Sequence, residues 1–136
     1  HAQREAQRGW SENRLDAERY GFDFAFPHPS VREVTYRDPA RDDRLVGVGL
    51  IDVVPDALSA IYFFWDPECA PPSLGVAHIV HLVGDAAQHG YTHLYLGYRV
   101  DACPSLAYKA RYRPQEILEG SPTGLAQPVW RLEPAG

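Results

Sequence analysis

The sequence contains no methionine and only two cysteines, and no apolar run approaches the ~18 residues that a membrane-spanning helix requires. With 45% of its 136 residues hydrophobic, the chain can build a core without a framework of disulfide bonds. Cys69 and Cys103 therefore predict a reducing, cytoplasmic environment, and we expect no association with a membrane.

Positive charge is also scarce. Thirteen Lys and Arg against 18 Asp and Glu leave a net charge of -5, which excludes a surface that attracts a polyanion as a whole. The hydrophobic fraction, together with 12% aromatic residues, excludes a disordered linker. We therefore expect one globular domain whose contacts with nucleic acid, if it has any, are local.

The first 30 residues differ in composition from the remainder. Residues 1–20 are charged and rich in Gln, and residues 21–30 mix Phe with Pro, which is typical of an irregular connector. We predict an N-terminal helical or irregular extension at 1–30, followed by the folded domain at 31–136.

Three strand-like segments follow this extension. They lie at 31–37, 45–54 and 58–65, and each is rich in β-branched, aliphatic or aromatic residues. Asp38-Pro39 and Pro55-Asp56 end the first and second segments with turn-forming residues. The pattern predicts an antiparallel three-stranded meander.

A helix and a further strand are predicted after the meander. Ser73 is the expected N-cap and Gly90 the expected helix end. The predicted apolar stripe consists of Val76, Ile79, Val80, Val83 and Ala87. Residues 92–100 are again strand-like, so strand, helix and strand predict a right-handed crossover unit beside the third strand. The fold class is α/β with a mixed sheet.

Asp52 interrupts an otherwise apolar strand just before the hairpin. A carboxylate in that setting is costly unless it is hydrogen-bonded or paired. It is therefore either a functional group or a structural acceptor for the amides of the hairpin turn. Ser59, across the hairpin, poses the same alternative.

Zinc-ligand residue types lie close together on the predicted helix. His78, His81, Asp85 and His89 fall on the face opposite the predicted apolar stripe. The HExxH pattern that would make a zinc site specific is missing, and the second face of an amphipathic helix is normally polar. We predict a solvated face and no bound metal. Cys103 is likewise expected to be a packed thiol rather than a nucleophile.

Two features predict contacts with anions. Gly75 stands at the start of the helix, where free backbone N–H groups favour phosphate, although a helix start often carries Gly for capping alone. A basic and aromatic cluster follows the last strand, and it could bind phosphate or carboxylate or be a surface ribbon paired with Glu116 and Glu119. Its members are Tyr98, Arg99, Tyr108, Lys109, Arg111, Tyr112 and Arg113.

Three segments, taken in order, resemble the C-terminal domain of the arginyl-tRNA and leucyl-tRNA protein transferases. They read LVGVGLIDVVPDALSAIYFFWDP, SLG and YLGYRVDACPSLAYKARYRPQEIL, and the resemblance runs from about Tyr36 to Leu118. The stretch from Asp52 to Pro67 is most similar to the bacterial branch, which transfers Leu to proteins that begin with Asp or Glu. The resemblance implies an N-acetyltransferase-like fold, a mixed sheet with a central crossover helix.

The same resemblance implies the chemistry. The N-terminal amine of a protein would attack the ester of aminoacyl-tRNA, without a cofactor, and the product would enter the N-degron pathway of protein degradation. Asp52, or water held by it, is the expected proton acceptor. A Tyr hydroxyl, with Tyr98 as the candidate, or a backbone N–H is expected to face the oxyanion. The expected substrate-binding residues are Ser59, Tyr62, Tyr95, Arg99, Lys109 and Arg111, and the expected tRNA-end-binding residues are Ser73, Leu74 and Gly75.

The chain departs from the family pattern in two places. Ser105-Leu106-Ala107 stands where the family commonly has Lys-Met-Arg, which removes two positive charges. The family's N-terminal, cysteine-containing domain is absent from these residues and is an expected partner. Two alternatives follow: a non-catalytic module that binds acidic N-termini or RNA ends, and an N-acyltransferase that uses acyl-coenzyme A. The loop PPSLGV lacks the Gly-x-Gly spacing that the second alternative usually needs.

Overall fold

The computed structural model of the protein describes residues 28–68, 73–124 and 126–135. The chain divides into two compact units, the first ending at Gly97 and the second beginning at Tyr98. This division was not predicted. The predicted extension at 1–30 and its boundary stay predictions, because residues 1–27 lie outside the described residues, as does Cys69.

A four-stranded sheet of order β1-β2-β3-β4 forms the first unit. Its strands are β1 (Val31–Asp38), β2 (Arg44–Val54), β3 (Ala57–Trp65) and β4 (His93–Tyr95). The pairs β1–β2 and β2–β3 are antiparallel, which confirms the meander. Asp42 and Asp43 make the first turn with positive φ, a conformation that Asp tolerates better than most residues.

The fourth strand is shorter than predicted. It pairs in parallel with β3 through only three residue pairs, from Ala57↔His93 to Ser59↔Tyr95. The predicted strand at 92–100 is thus correct in place and partner but not in length. Gly97 has a φ of 69°, which takes the chain out of extended backbone.

The long helix α1 (Leu74–His89) ends as predicted at Gly90, whose N–H bonds to the carbonyls of Ala86 and Ala87. Ser73 occupies the N-cap position with a φ of 72°, and its side chain makes no capping hydrogen bond. The helix packs on the sheet through Ile79, Leu82 and Ala86. The buried residues of β2 and β3 are Val46, Leu50, Ile51, Ala57 and Leu58.

The predicted apolar stripe was wrong for this helix. Of its members only Ile79 is buried, whereas Val76, Val80 and Val83 are 40%, 59% and 51% exposed. The helix is rotated so that His78, a polar residue, faces inward with Ile79 and Leu82. Gly49 of β2 leaves the space that this ring needs.

The second unit contains a short helix, α2 (Pro104–Ala107), and a two-stranded antiparallel sheet of β5 (Gln115–Glu119) and β6 (Val129–Glu133). Pro104 suits the first helical position because its missing N–H would be unsatisfied there in any case. Cys103 precedes it as a half-buried thiol whose Sγ lies 3.2 Å from Oγ of Ser105. In the described parts of both units, no helix is long and apolar enough to cross a membrane.

Candidate active site

A row of predicted site residues crosses three strands of the first unit. Asp52 of β2 pairs with Ser59 of β3, and Ser59 pairs with Tyr95 of β4. Directly opposed residues in neighbouring strands project from the same face of a sheet. Tyr62 pairs with Leu50 and lies on that face as well, beyond an irregularity in the β2–β3 register. The fold therefore brings Asp52, Ser59, Tyr62 and Tyr95 together.

Asp52 is half-buried and hydrogen-bonded to a residue outside its own hairpin. Ser30 donates from Oγ to Oδ1 of Asp52 over 2.7 Å, and Nδ1 of His28 lies 2.7 Å from the same Oγ. The described hydrogen bond of Asp52 thus comes from Ser30, and not from the hairpin amides that the sequence offered as an alternative. Ser30 and His28 were missed from sequence because their turn, His28-Pro29-Ser30, carries no motif and reaches Asp52 only through strand pairing.

The residues predicted to bind the tRNA end lie at the start of α1, against the other face of the sheet. Ser73 is exposed, whereas Leu74 and Gly75 are half-buried. Leu74 packs on Gly47, where an added Cβ would be 3.1 Å from its Cδ2, and Gly75 faces the ring of Phe63. Gly47 and Asp52 are an odd number of residues apart in β2. Because successive side chains of a strand point to opposite faces, the two residues lie on opposite faces of the sheet.

The remaining predicted residues lie in the second unit. Tyr98 is 86% exposed, and its carbonyl accepts a 2.7 Å hydrogen bond from Nζ of Lys109. Burial lowers the pKa of Lys109 from its usual value. Arg111 is exposed.

Arg99 holds the second unit together through carboxylates. Its guanidinium bonds to Asp101 over 2.7 Å and to Glu133 over 2.6 Å, and Glu133 also accepts an ion pair from Arg113 at 2.7 Å. These bonds raise the pKa of Arg99 and hold the pKa values of Asp101 and Glu133 below their usual range. Any further carboxylate would have to displace one of these partners from Arg99.

His78 corrects the prediction of a solvated histidine face. It is only 1% exposed, its ring stacks on Phe63 with centroids 4.6 Å apart, and its Nδ1 lies 2.8 Å from the hydroxyl of Tyr36. An added Cβ at Gly49 would collide with the His78 ring, which explains how β2 admits it. The other histidines of the helix, His81 and His89, are exposed as predicted.

No group of three or more His, Cys, Asp or Glu side chains in the described ranges is arranged to hold a metal ion. His89 contacts Asp85 at 3.2 Å, which is a pairing within one turn of the helix. The absence of bound zinc stays a prediction, which elemental analysis of the purified protein would check.

The buried ring of His78 makes the stability of the protein sensitive to acid. Burial, with a smaller contribution from His81, lowers the pKa of His78 from 6.5 to about 4, and Nε2 is buried without a hydrogen-bond partner among the described residues. Because the unfolded chain takes up the proton first, this contribution to stability is intact above pH 6.5 and is lost between pH 6.5 and about 4. The expected loss is about 3 kcal/mol in the free energy of unfolding.

Urea unfolding measured at a series of pH values checks this prediction. In His78→Gln, the free energy of unfolding should vary less with pH between about 4 and 6.5. In His89→Gln, on the exposed side of the same helix, it should vary with pH as it does in the parent. Equal slopes for the parent and His78→Gln would contradict a neutral, buried His78.

The chain is similar to proteins of one family. A family model described as "Arginine-tRNA-protein transferase, C terminus" matches residues 4–119. The aspartate/glutamate leucyltransferase of Gluconacetobacter diazotrophicus is 46% identical over 85 residues, which cover 62% of this chain and 32% of that protein. The protein of the same name from Aeromonas salmonicida is 45% identical over 93 residues, covering 68% and 39%. The chain spans about a third of the length of these curated relatives.

A solved structure supports the fold class. The crystal structure described as that of an acyl-CoA N-acyltransferase from Klebsiella pneumoniae matches 88% of this chain and 83% of its own, with a TM-score of 0.55 and 22% sequence identity. At that identity the likeness shows the fold alone. It confirms the predicted N-acetyltransferase-like arrangement, in which a mixed sheet is joined by a crossover helix.

Proposed function

This chain belongs to the arginine-tRNA-protein transferase C-terminal family, and on that basis we propose that it transfers Leu or Arg from aminoacyl-tRNA to the N-terminal amine of proteins that begin with Asp or Glu. The transfer would mark those proteins for degradation. We further propose a cytoplasmic location, where aminoacyl-tRNA is made, and an N-terminal cysteine-containing domain as partner.

The reaction needs alignment and proton transfer more than covalent catalysis. The recipient's ammonium group gives up one proton, and the neutral amine attacks the carbonyl carbon of the activated ester. The C–N bond forms, the bond between that carbon and the ribose oxygen breaks, and a second amine proton ends on the ribose oxygen. One peptide bond, one free tRNA and one released proton balance the equation.

The observation that carries this proposal is the row Asp52, Ser59 and Tyr95 at the last pair of the parallel β3–β4 ladder. We assign Asp52 as the acceptor of the ammonium proton, because its carboxylate is half-buried and is held at one oxygen by Ser30. Ser59, Tyr62 and Tyr95 would position the two reactants around it. Tyr98, with its exposed ring, is the proposed donor to the oxyanion.

The start of α1 is the proposed site for the phosphates of the tRNA end. Ser73 leaves the first N–H groups of the helix without a side-chain cap, and these groups favour a negative charge. Gly75 adds no side chain in front of them.

A transfer assay tests the proposal. The purified protein is incubated with Leu-tRNA or Arg-tRNA and with matched peptides that begin with Asp, Glu or Ala, and the extended peptide is measured. We expect transfer to the Asp and Glu peptides and none to the Ala peptide, with uncharged tRNA as the control. Specific binding of acidic peptides without transfer would instead identify a non-catalytic module.

Arg111 gives a further prediction. Arg111→Ala should raise the dissociation constant for the substrates roughly tenfold, because a charge-assisted hydrogen bond is lost, while the maximal rate stays near that of the parent. Lys109→Ala should combine weaker binding with a local change, since Lys109 also holds the Tyr98 carbonyl.

Binding of charged tRNA by fluorescence anisotropy at increasing salt checks this prediction. Affinity for tRNA should fall with salt despite the net charge of -5, and less steeply in Arg111→Ala. Arg41→Ala, an exposed arginine that is paired with Asp38, is the matched control. Identical salt dependence in all three proteins would remove Arg111 from the binding surface.

A further inference from the structure

A continuous line of hydrogen bonds leads from Asp52 to solvent. Oδ1 of Asp52 accepts from the hydroxyl of Ser30 over 2.7 Å, and the same hydroxyl oxygen lies 2.7 Å from Nδ1 of His28. Asp52 and Ser30 are half-buried, and His28 is exposed. The line therefore joins the proposed proton acceptor to the surface through two groups that can both accept and donate a proton.

The backbone fixes this line in place. Val53 donates its N–H to the carbonyl of Ser30 over 2.9 Å, which attaches the turn to β2 directly beside Asp52. Val31 donates to the carbonyl of His28 over 3.1 Å, which closes the turn. Nη1 of Arg32 donates to the carbonyls of Pro29 and Val31 over 2.7 and 2.8 Å. The short contacts of Ser30 are thus held by the strand pairing.

We propose that His28 and Ser30 form a proton path that returns Asp52 to its ionised form after each transfer. The inference rests on the proposed function, in which one proton leaves the ammonium group in every cycle. Asp52 takes that proton and passes it to the oxygen of Ser30, whose own hydroxyl proton passes to Nδ1 of His28. The ring then releases a proton to water from Nε2, so one proton enters the line and one leaves it.

The shorter of the two hydrogen bonds at Nδ1 of His28 favours one starting tautomer. A serine hydroxyl has one proton, and Ser30 gives it to Asp52. Nδ1 of His28 then carries the proton of the 2.7 Å bond to Oγ, whereas the backbone N–H of Ser30, whose nitrogen lies 3.4 Å from Nδ1, is a competing donor that favours the other tautomer. When a proton passes from Asp52, the donor and the acceptor of both hydrogen bonds exchange roles. This requires the His28 tautomer with its proton on Nε2. The exposed ring reaches that tautomer by exchanging protons with water.

Kinetics of defined variants test the path. His28→Ala and Ser30→Ala should each lower kcat about tenfold with little change in KM for the acidic peptide, and Ser30→Thr, which keeps the hydroxyl, should restore most of the rate. Imidazole in the buffer should rescue His28→Ala, because a diffusing base can replace the ring. His89→Ala and Ser121→Ala are the matched controls and should behave like the parent.

Two kinetic outcomes would overturn the path. One is an unchanged kcat in His28→Ala, and the other is a loss that imidazole leaves uncorrected, since that loss would come from structure alone.

A second measurement is independent of transfer. Two-bond ¹H–¹⁵N correlation of the His28 ring at pH 8 should show the proton on Nδ1 in the parent and on Nε2 in Ser30→Ala. A parent ring protonated on Nε2 would overturn the line. If the parent transfers no amino acid under any condition, the proposed function fails, and this measurement alone decides whether the hydrogen-bonded path exists.

Discussion

Replacing Asp52 with asparagine is expected to lower kcat for aminoacyl transfer about a hundredfold while leaving KM for the acidic peptide near that of the parent. Asparagine keeps the size of the side chain and a polar contact with Ser30, but its amide cannot take a proton from the ammonium group. The effect falls on the rate because the proton moves on the way to the transition state. Initial rates over a range of peptide concentrations separate the two constants.

Asp56 provides the matched control for this experiment. It is an exposed carboxylate in the adjoining hairpin turn, and its backbone carbonyl, not its side chain, accepts the hydrogen bond from the Thr92 amide. Asp56→Asn makes the same chemical change four positions away and should leave both constants unaltered. Full activity in Asp52→Asn would eliminate Asp52 as the proton acceptor.

The largest loss of stability is expected from Gly49→Ala. A Cβ at this position would lie 2.7 Å from Nε2 of His78, and the ring cannot easily move away because Phe63 stacks on it and Tyr36 bonds to it. Overpacking of this kind should cost about 3 kcal/mol in the free energy of unfolding. Urea denaturation of the parent and the variant measures the difference.

Two further variants isolate the cause. Gly84→Ala, at an exposed helical position with nothing within 4 Å of the added carbon, should stabilise the protein by up to about 1 kcal/mol. In Gly49→Ala combined with His78→Ala the two losses should be far from additive, because the smaller side chain removes the collision. Additive losses would mean that the two positions do not share this space.

Strand pairing could be predicted from the sequence because apolar runs and turn residues alternate clearly there. Pro55-Asp56 separates two long apolar segments, and turn-forming residues in that position predict a hairpin. The orientation of α1 could not be predicted in the same way. Its inward face includes His78, whose burial depends on a partner hydroxyl from β1 and on the absence of a side chain at Gly49, and neither is local to the helix.

The residues of the candidate site also differ in whether the sequence reveals them. Asp52 stands out in sequence as a carboxylate in an apolar strand, and its row with Ser59 follows once the hairpin is drawn. Ser30 could not be found, because its contact with Asp52 spans 22 residues and depends on the register of β1 against β2. Arg99 was expected to face a substrate, but a local sequence cannot reveal that Glu133, from the last strand, already occupies its guanidinium.

The two kinds of strand pairing in the first unit differ in the chain entropy that must be lost before they form. The meander closes through short turns, so β1, β2 and β3 can pair early and cheaply during folding. The parallel pairs of β4 close a longer segment of chain, since α1 lies between the partners, and therefore cost more chain entropy. The row therefore consists of one pair that is cheap to close, Asp52 with Ser59, and one that is costly, Ser59 with Tyr95.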